Sequence, residues 1–68
     1  MAIIVNLDVE MAKNKMPLKE LARRLNISTT NLSLLKTGKV KGIRFDTLEA
    51  ICRELRCKPG DILDYKTE

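Results

Sequence analysis

Residues 17–38 read PLKELARRLNISTTNLSLLKTG, and this stretch decides the fold of the chain. Its first part predicts a helix over about 17–25, because apolar side chains recur there at helical spacing. These side chains are Leu18, Leu21, Ala22 and Leu25. Asn26 follows, and Asn adopts the left-handed backbone conformation more readily than most residues other than Gly. The sequence therefore predicts that this helix ends in a tight corner at Asn26.

The second part of the same stretch predicts another short helix, over about 29–36. Ser28 precedes it and is expected to be its N-cap, since a serine hydroxyl accepts a hydrogen bond from a free N–H of the first turn. Gly38 lies just past the last apolar position, where helices often end. Leu32 and Leu35 are expected to face inward. Two helices joined by so short a corner predict a helix-turn-helix over 17–37.

Both ends of the chain predict β-strands. Residues 2–7, AIIVNL, form a run rich in β-branched side chains that is too short for a helix. Residues 62–66 form the other candidate, in which Leu63 and Tyr65 alternate with Asp64 and Lys66, as in a half-exposed strand. Because a single strand is not stable alone, we expect the two to pair as an antiparallel ribbon, either within one chain or between two.

The remaining helices are predicted from caps and spacing. Helix 1 is expected from about residue 7 to residue 14, with Leu7, Met11 and Ala12 inward. Asp46 and Glu49 form a D-x-x-E capping pattern, so helix 4 is expected to begin at Asp46. Its inward side chains are predicted to be Leu48, Ile51, Cys52 and Leu55, with Phe45 packed at the entrance. With a last helical turn near 61–63, we expect an all-α bundle of about five short helices plus the β ribbon.

Positive charge is concentrated in the middle of the sequence. Residues 13–44 contain nine Lys and Arg against the single acidic residue Glu20, a net charge of +8. The whole chain carries +4, so the remaining residues carry −4. Segregation on this scale around a helix-turn-helix favours a polyanionic partner.

Composition limits the other functions. The 68 residues predict one domain, 1–68, and no apolar run is long enough to cross a membrane. The start lacks a basic leader, so we expect no signal peptide and a cytoplasmic protein. With no His and only two cysteines, Cys52 and Cys57, no metal site or cofactor is expected, and the cysteines are predicted to be buried reduced thiols. No catalytic constellation is present, so an enzyme is not expected.

The outward side of helix 3 is the predicted surface for reading DNA bases. It carries Thr29, Thr30, Ser33 and Leu34. Threonine and serine hydroxyls hydrogen-bond to base edges, and threonine or leucine methyl groups contact the methyl of thymine. On helix 2, Lys19, Arg23 and Arg24 point away from the apolar stripe and are in a position to reach phosphates.

From residue 18 to residue 62 the sequence resembles the phage Cro/repressor-type helix-turn-helix domains, also known as the xenobiotic-response-element family. The resemblance rests on KELARRLNIS, TTNLSLLKTGK, IRFDTLEAICREL and KPGDIL. It implies a lambda-repressor-like bundle of five helices and a bacterial or phage-encoded transcription regulator, most simply a repressor. It also implies a homodimer on double-stranded DNA with a pseudo-palindromic operator.

The resemblance also implies roles for individual residues. Thr29, Thr30 and Leu34 match the base-reading positions of the family, whereas Arg44 matches an arginine that lies toward the minor groove. The full set predicted to contact phosphates or the minor groove is Lys19, Ser28, Asn31, Lys36, Lys39, Lys41 and Arg44. Nothing in the sequence indicates a small-molecule effector.

The sequence departs from the family pattern at three positions. Pro17 stands where Ser or Thr is usual, Leu18 where Gln is common, and Leu34 where the family is often polar. A reading surface of two threonines and a leucine offers few bidentate hydrogen bonds. Discrimination between DNA sequences is then expected to depend on methyl contacts and on DNA shape. This predicts an A·T-rich operator.

Two other functions remain open at this level. An antitoxin or protein-interaction module is possible on the same fold, with Leu34 and the ribbon as contact surfaces, although such a module has little need for the basic region. A general RNA-binding protein is disfavoured, because the chain has only one Phe and one Tyr for base stacking.

Overall fold

The computed structural model describes residues 2–67 and confirms five short helices with a two-stranded ribbon. In chain order the elements are β1 (Ala2–Val5), α1 (Leu7–Lys13), α2 (Leu18–Leu25), α3 (Thr29–Lys36), α4 (Phe45–Leu55), α5 (Pro59–Ile62) and β2 (Leu63–Lys66). No helix within residues 2–67 is long and apolar enough to cross a membrane.

The ribbon forms within one chain, which resolves the alternative left open by the sequence. β1 and β2 are antiparallel, and their register pairs Ala2 with Lys66 and Val5 with Leu63. Both strands are shorter than the predicted 2–7 and 62–66. The reason is that the adjoining side chains of Leu7 and Ile62 are fully buried and belong to helices.

The hydrophobic core is aliphatic and draws on every helix. Leu21 of α2, Leu32 of α3 and Ile51 of α4 have no exposed surface. The complete buried apolar set is Leu7, Met11, Leu21, Ala22, Leu32, Leu35, Ile51, Leu55 and Ile62. The predicted inward positions of α2 and α3 are thus confirmed for Leu21, Ala22, Leu32 and Leu35, because one face of each helix packs on the other and on α1 or α4.

The first four helices end in the same way, with a residue in the left-handed conformation. These residues are Lys15, Asn26, Gly38 and Arg56, with φ between 52° and 75°. After each of them a backbone N–H returns to a carbonyl five residues earlier, as from Cys57 to Cys52 at 3.1 Å. This is the Schellman arrangement, which satisfies carbonyls that the helix leaves free. The sequence predicted the left-handed residue only at Asn26.

Helix α4 begins one residue earlier than predicted. Arg44 is its N-cap, and Phe45 is its first residue. Asp46 therefore lies in the first turn, where its carboxylate accepts a hydrogen bond from the N–H of Thr47 at 2.8 Å instead of forming the predicted capping box with Glu49. A carboxylate in the first turn still interacts favourably with the helix dipole.

The prediction that Phe45 packs at the entrance of α4 was wrong. Its side chain is 86% exposed, the most exposed large apolar residue among residues 2–67. Buried side chains of α4, Ile51 and Leu55, lie on a different face, because the helical phase set by positions 51 and 55 turns position 45 to the side. Leu48 and Cys52 are half-buried between the two faces.

The prediction for α1 was wrong at Ala12, which is exposed. The inward side of α1 instead contains Glu10, only 8% exposed, because Glu10 and Met11 follow the buried Leu7 by three and four residues. The Glu10 carboxylate is compensated by Lys13, whose Nζ lies 3.3 Å from Oε2. The Asn14 amide donates to the carbonyls of Glu10 and Leu55, which ties the end of α1 to the end of α4.

Candidate nucleic-acid interface

The corner between α2 and α3 fixes the direction in which α3 leaves the fold. Asn26 adopts φ 58° and ψ 43°, as predicted, and the Ile27 N–H donates to the Ala22 carbonyl at 3.1 Å. Ser28 then caps α3, with its Oγ accepting from the Asn31 N–H at 3.0 Å. Because the buried Leu32 and Leu35 hold one side of α3 in the core, the opposite side is turned to solvent.

The exposed side of α3 contains most of the residues predicted to read bases. Thr29 and Thr30 in its first turn are exposed, as is Asn31. Leu34 is 41% exposed, one turn after Thr30, so these two side chains lie one above the other on the same surface. Ser33 is half-buried and is therefore the least accessible of the four predicted base-reading residues.

Four lysines on or near α3 are free to meet an anion. Lys36 is on α3, Lys39 and Lys41 follow it, and Lys19 is on α2, which packs against α3. None of the four forms an ion pair within residues 2–67. Lys19, Lys39 and Lys41 are exposed, and Lys36 is half-buried. These are the four lysines predicted to contact phosphates.

The two arginines of α2 are engaged within the protein instead. Glu20 accepts hydrogen bonds from Arg23 Nη2 and, at 2.8 Å, from Arg24 Nε. Arg24 also donates to Glu54 of α4 at 3.1 Å, so this ion pair joins two helices. The hydrogen bonds from Arg23 and then from Arg24 hold the pKa of Glu20 below its ordinary value, and the Glu20 carboxylate raises the pKa of Arg24. Glu54 could not be recognised from the sequence as a partner of Arg24, because the two residues lie 30 positions apart.

Arg44 lies at the junction between α3 and α4. Its side chain is 84% exposed and forms an ion pair with Asp46 at 3.2 Å. Arg44 also lines a shallow surface hollow together with Asn31 of α3 and Thr47 of α4. The predicted minor-groove arginine is therefore next to the exposed surface of α3, and its pairing with Asp46 is weak because both groups are in water.

The two cysteines are free thiols, and both are half-buried. Burial, together with the neighbouring Cys52, raises the pKa of the Cys57 thiol to about 11. A thiol with so high a pKa is a poor nucleophile and a poor metal ligand near neutral pH. No cluster of three or more His, Cys, Asp or Glu side chains able to hold a metal is found in the part of the chain that the structure describes.

A single arrangement thus emerges from the geometry: a short helix held by its neighbour, with polar and methyl groups exposed and unpaired lysines around it. The family model of the Cro/C1-type helix-turn-helix DNA-binding domain matches residues 6–68. The chain belongs to the Cro/C1-type helix-turn-helix family. This confirms the resemblance seen in the sequence, and the Cro/C1-type family is a DNA-binding family rather than a family of enzymes.

A curated relative is similar over the whole chain. It is a Bacillus subtilis (strain 168) protein named "Uncharacterized HTH-type transcriptional regulator YozG". The two sequences are 57% identical over 68 residues, which is all of this chain and 81% of the relative. The Cro/C1-type domain described above therefore accounts for most of the length of that relative.

Proposed function

We propose that the chain is a transcriptional repressor that binds a pseudo-palindromic operator as a homodimer, with α3 in the major groove. The observation that supports this most directly is the exposed side of α3, where Thr30 and Leu34 lie beside lysines that have no partner in the fold. A solvated protein surface usually pairs part of its charge, as Arg23 and Arg24 do here. Repression then follows from occupying DNA that polymerase needs.

Each exposed group of α3 has a role in this proposal. The hydroxyls of Thr29 and Thr30 reach base edges, and the methyl groups of Thr30 and Leu34 pack against thymine methyls. Ser33 contributes less to base contacts, since it is half-buried. Such a surface discriminates through shape and methyl contacts more than through bidentate hydrogen bonds, so we expect A·T-rich operators.

Backbone contacts fix the position of α3 on the duplex. Ser28 accepts the Asn31 N–H through its oxygen, which leaves the serine hydroxyl proton to donate to a phosphate. Asn31 and the four unpaired lysines supply further contacts to phosphates, and Arg44 extends toward a narrow minor groove. These contacts supply affinity and register, whereas α3 supplies sequence preference.

The first test is selection of bound fragments from random DNA, with the molar mass of the complex measured in solution. We expect enriched A·T-rich sequences with two related half-sites and a stoichiometry of two chains per duplex. Enrichment of G·C-rich sites would contradict the proposal that Thr30 and Leu34 recognise thymine through methyl contacts. No enriched sequence at all would favour the alternative, an antitoxin or protein-interaction module on the same fold.

The second test separates phosphate contacts from base contacts. If about five phosphates are neutralised, the log–log slope of affinity against salt is about −4.5, and Lys39→Ala or Lys41→Ala reduces its size by about one. These variants weaken binding to all sequences alike, whereas Thr30→Ala changes which sequences are preferred. Lys66→Ala is the matched control, because Lys66 is an exposed lysine on β2 outside the proposed interface.

Repression itself is tested with a reporter in which the selected site overlaps a promoter. We expect the wild-type chain to lower transcription and Thr30→Ala to relieve that effect at the selected site. An increase in transcription would make the chain an activator and would leave the DNA-binding part of the proposal intact.

A further inference from the structure

The start of α4 presents an apolar surface outside the proposed DNA interface. Phe45 is 86% exposed, and beside it lies a hollow of about 490 Å³. The hollow is lined by Phe45 itself, Leu48, Glu49, Cys52 and Pro59. We call Phe45, Leu48, Cys52 and Pro59 the Phe45 face. A protruding ring next to a hollow of apolar lining is self-complementary, as a contact between two identical surfaces requires.

The charges around the Phe45 face are ordered along α4. Asp46 and Glu49 lie in its first half, whereas Arg53 lies in its last turn and Arg56 immediately follows. All four are exposed, and spacings of three, four and three residues place them on one side of the helix. If a second α4 packs antiparallel across this side, the acidic first half of each helix lies opposite the basic end of the other.

We propose that the Phe45 face is the surface through which two copies of this chain associate about a two-fold axis. The two α4 helices cross antiparallel, and Phe45 of each copy enters the hollow lined by Leu48 and Cys52 of the other. Asp46 of each copy lies opposite Arg53 of the other. Elsewhere the charge opposes association, because residues 13–44 carry a net +8 and two such surfaces repel.

The size of the Phe45 face indicates how strong this association is. An aromatic residue buries about 150–250 Å², so two copies of Phe45 contribute about 300–500 Å². Stable interfaces bury about 1,200–2,000 Å², and those below that range belong to weak or transient complexes. The free protein is therefore expected to be largely monomeric when dilute and to dimerise when concentrated or when two copies are held on one DNA.

This inference deepens the proposed function, because it names the surface through which the proposed dimer forms. The first turn of α4 carries Phe45 on one side, whereas Arg44 and Thr47 line the hollow that they share with Asn31 of α3. A contact through Phe45 therefore lies directly beside the candidate DNA interface. In a dimer joined at Phe45, the first turn of α4 in each copy connects the dimer contact to the α3 helix of that copy.

Sedimentation equilibrium of the free protein tests the association without DNA. Between about 10 μM and 1 mM we expect the mean molar mass of the wild type to rise toward a dimer, the range appropriate to a weak interface. Phe45→Glu should weaken the dimer at least about tenfold, because it places a charge at the centre of the contact. A glutamate in the first turn suits the helix dipole, so the variant is expected to fold normally.

Val9→Glu is the matched control. Val9 is 46% exposed on α1 and lies outside the Phe45 face, so the same change of residue type should leave the association unchanged. Thermal melts followed by circular dichroism verify that both variants fold. A wild type that stays monomeric at the highest concentration, or a dimer unaffected by Phe45→Glu, would overturn the proposal.

A charge exchange tests the antiparallel arrangement. Asp46→Lys and Arg53→Asp should each weaken the dimer, and the double variant should recover most of the loss, because the two positions face each other across the axis. Failure of the double variant to recover would reject this arrangement. If DNA selection fails while the Phe45-dependent dimer persists, the proposed function falls and this inference stands. If selection succeeds but Phe45→Glu does not affect dimerisation, the proposed function stands and this inference fails.

Discussion

Leu34 and Phe45 are both large apolar side chains left exposed, yet their surroundings differ. Leu34 is 41% exposed on α3, among threonines and near lysines without ion-pair partners. Phe45 is 86% exposed on α4, beside an apolar hollow and between side chains of both signs. A positively charged surface with hydroxyl and methyl groups is suited to DNA, whose phosphates are negative and whose base edges accept such contacts. A surface with an apolar centre and mixed charges fits another protein.

The exposure of an apolar residue indicates a function only together with the residues that surround it. Leu34 and Phe45 are separated by only ten residues in sequence, and both adjoin the same junction between α3 and α4. A chain of 68 residues has little surface to spare. If both proposed contact surfaces are used, their position at one junction would let DNA binding and association reinforce each other.

The largest effect is expected from comparing Phe45 with a buried residue of the same helix. Ile51→Ala should cost about 2–5 kcal/mol of stability, since Ile51 has no exposed surface and the change leaves a cavity. Phe45→Ala should change stability by less than about 0.5 kcal/mol, as expected of an exposed site. Urea unfolding of the two variants measures both. A large loss from Phe45→Ala would mean that this ring packs within the monomer.

The second largest effect is expected in the alkylation rate of Cys57, whose thiol lies next to Cys52 of the Phe45 face. The pKa of Cys57 is raised from 9.0 to about 11, so its thiolate fraction near neutral pH should be about 100-fold below that of an unperturbed thiol. Alkylation of Cys57 by iodoacetamide should be slower in the folded chain than in urea by a similar factor. Mass spectrometry of the Cys57 peptide measures the rate. Equal rates in both states would show that the folded chain does not protect this thiol.

The ends of α3 and α4 should respond in opposite directions to changes at their left-handed residues. Gly38 has φ 75°, and a Cβ added there would lie 3.7 Å from Val5 Cγ2, an ordinary contact. Gly38→Ala should therefore destabilise through backbone conformation alone, by about 1–2 kcal/mol. Thermal or urea unfolding measures the loss. An unchanged midpoint would indicate that the loop after α3 relaxes at little cost.

At the end of α4 the corresponding change should stabilise. Arg56 holds φ 54° at a cost of about 1–2 kcal/mol, which exceeds the extra entropy that Gly loses on folding, about 0.5–1 kcal/mol. Arg56→Gly is thus expected to raise stability by about 0.5 kcal/mol, visible as a higher urea midpoint. Because Arg56 also flanks the Phe45 face, the dimer of this variant should be no stronger than that of the wild type.

The smallest effect should come from Glu20, on α2 beside the candidate DNA interface. Arg23 and then Arg24 lower its pKa, so its contribution to stability is present above the pKa of the unfolded chain and is lost as pH falls through the lowered folded value. Glu20→Gln should therefore differ slightly from wild type near neutral pH and converge with it in acid. Urea midpoints across that range measure this, and a difference that grows in acid would contradict it.

The sequence predicted the helix-turn-helix well because local chemistry determines it. Asn26 and Ser28 act on their own backbones or on residues within one turn, and the spacing of Leu32 and Leu35 fixes the face of α3. The left-handed residues Lys15 and Arg56 were not predictable in this way, since neither side chain favours that conformation. They adopt it because the flanking helices, once packed, require the chain to turn there.

Tertiary contacts account for the other errors. Glu10 is buried and Glu54 pairs with Arg24 because helices distant in sequence come together, and a single sequence does not record those distances. Phe45 was predicted to pack at the entrance of α4, but it lies on a different face from the buried Ile51 and Leu55. For the candidate interface, the sequence predicted that Thr29, Thr30 and the lysines face outward, and their DNA contacts stay a prediction. It gave no indication that Arg23 and Arg24 pair with acidic groups within the fold.

The ribbon has a consequence for the order in which the chain folds. Because Ala2 pairs with Lys66, β1 must wait during synthesis until Lys66 has emerged from the ribosome. The α2–α3 unit depends on neighbours close in sequence and is free to form much sooner, as local contacts close faster than distant ones. Closing the ribbon is then expected to follow formation of the α2–α3 unit, and fraying of the ribbon is expected to be the first step of unfolding.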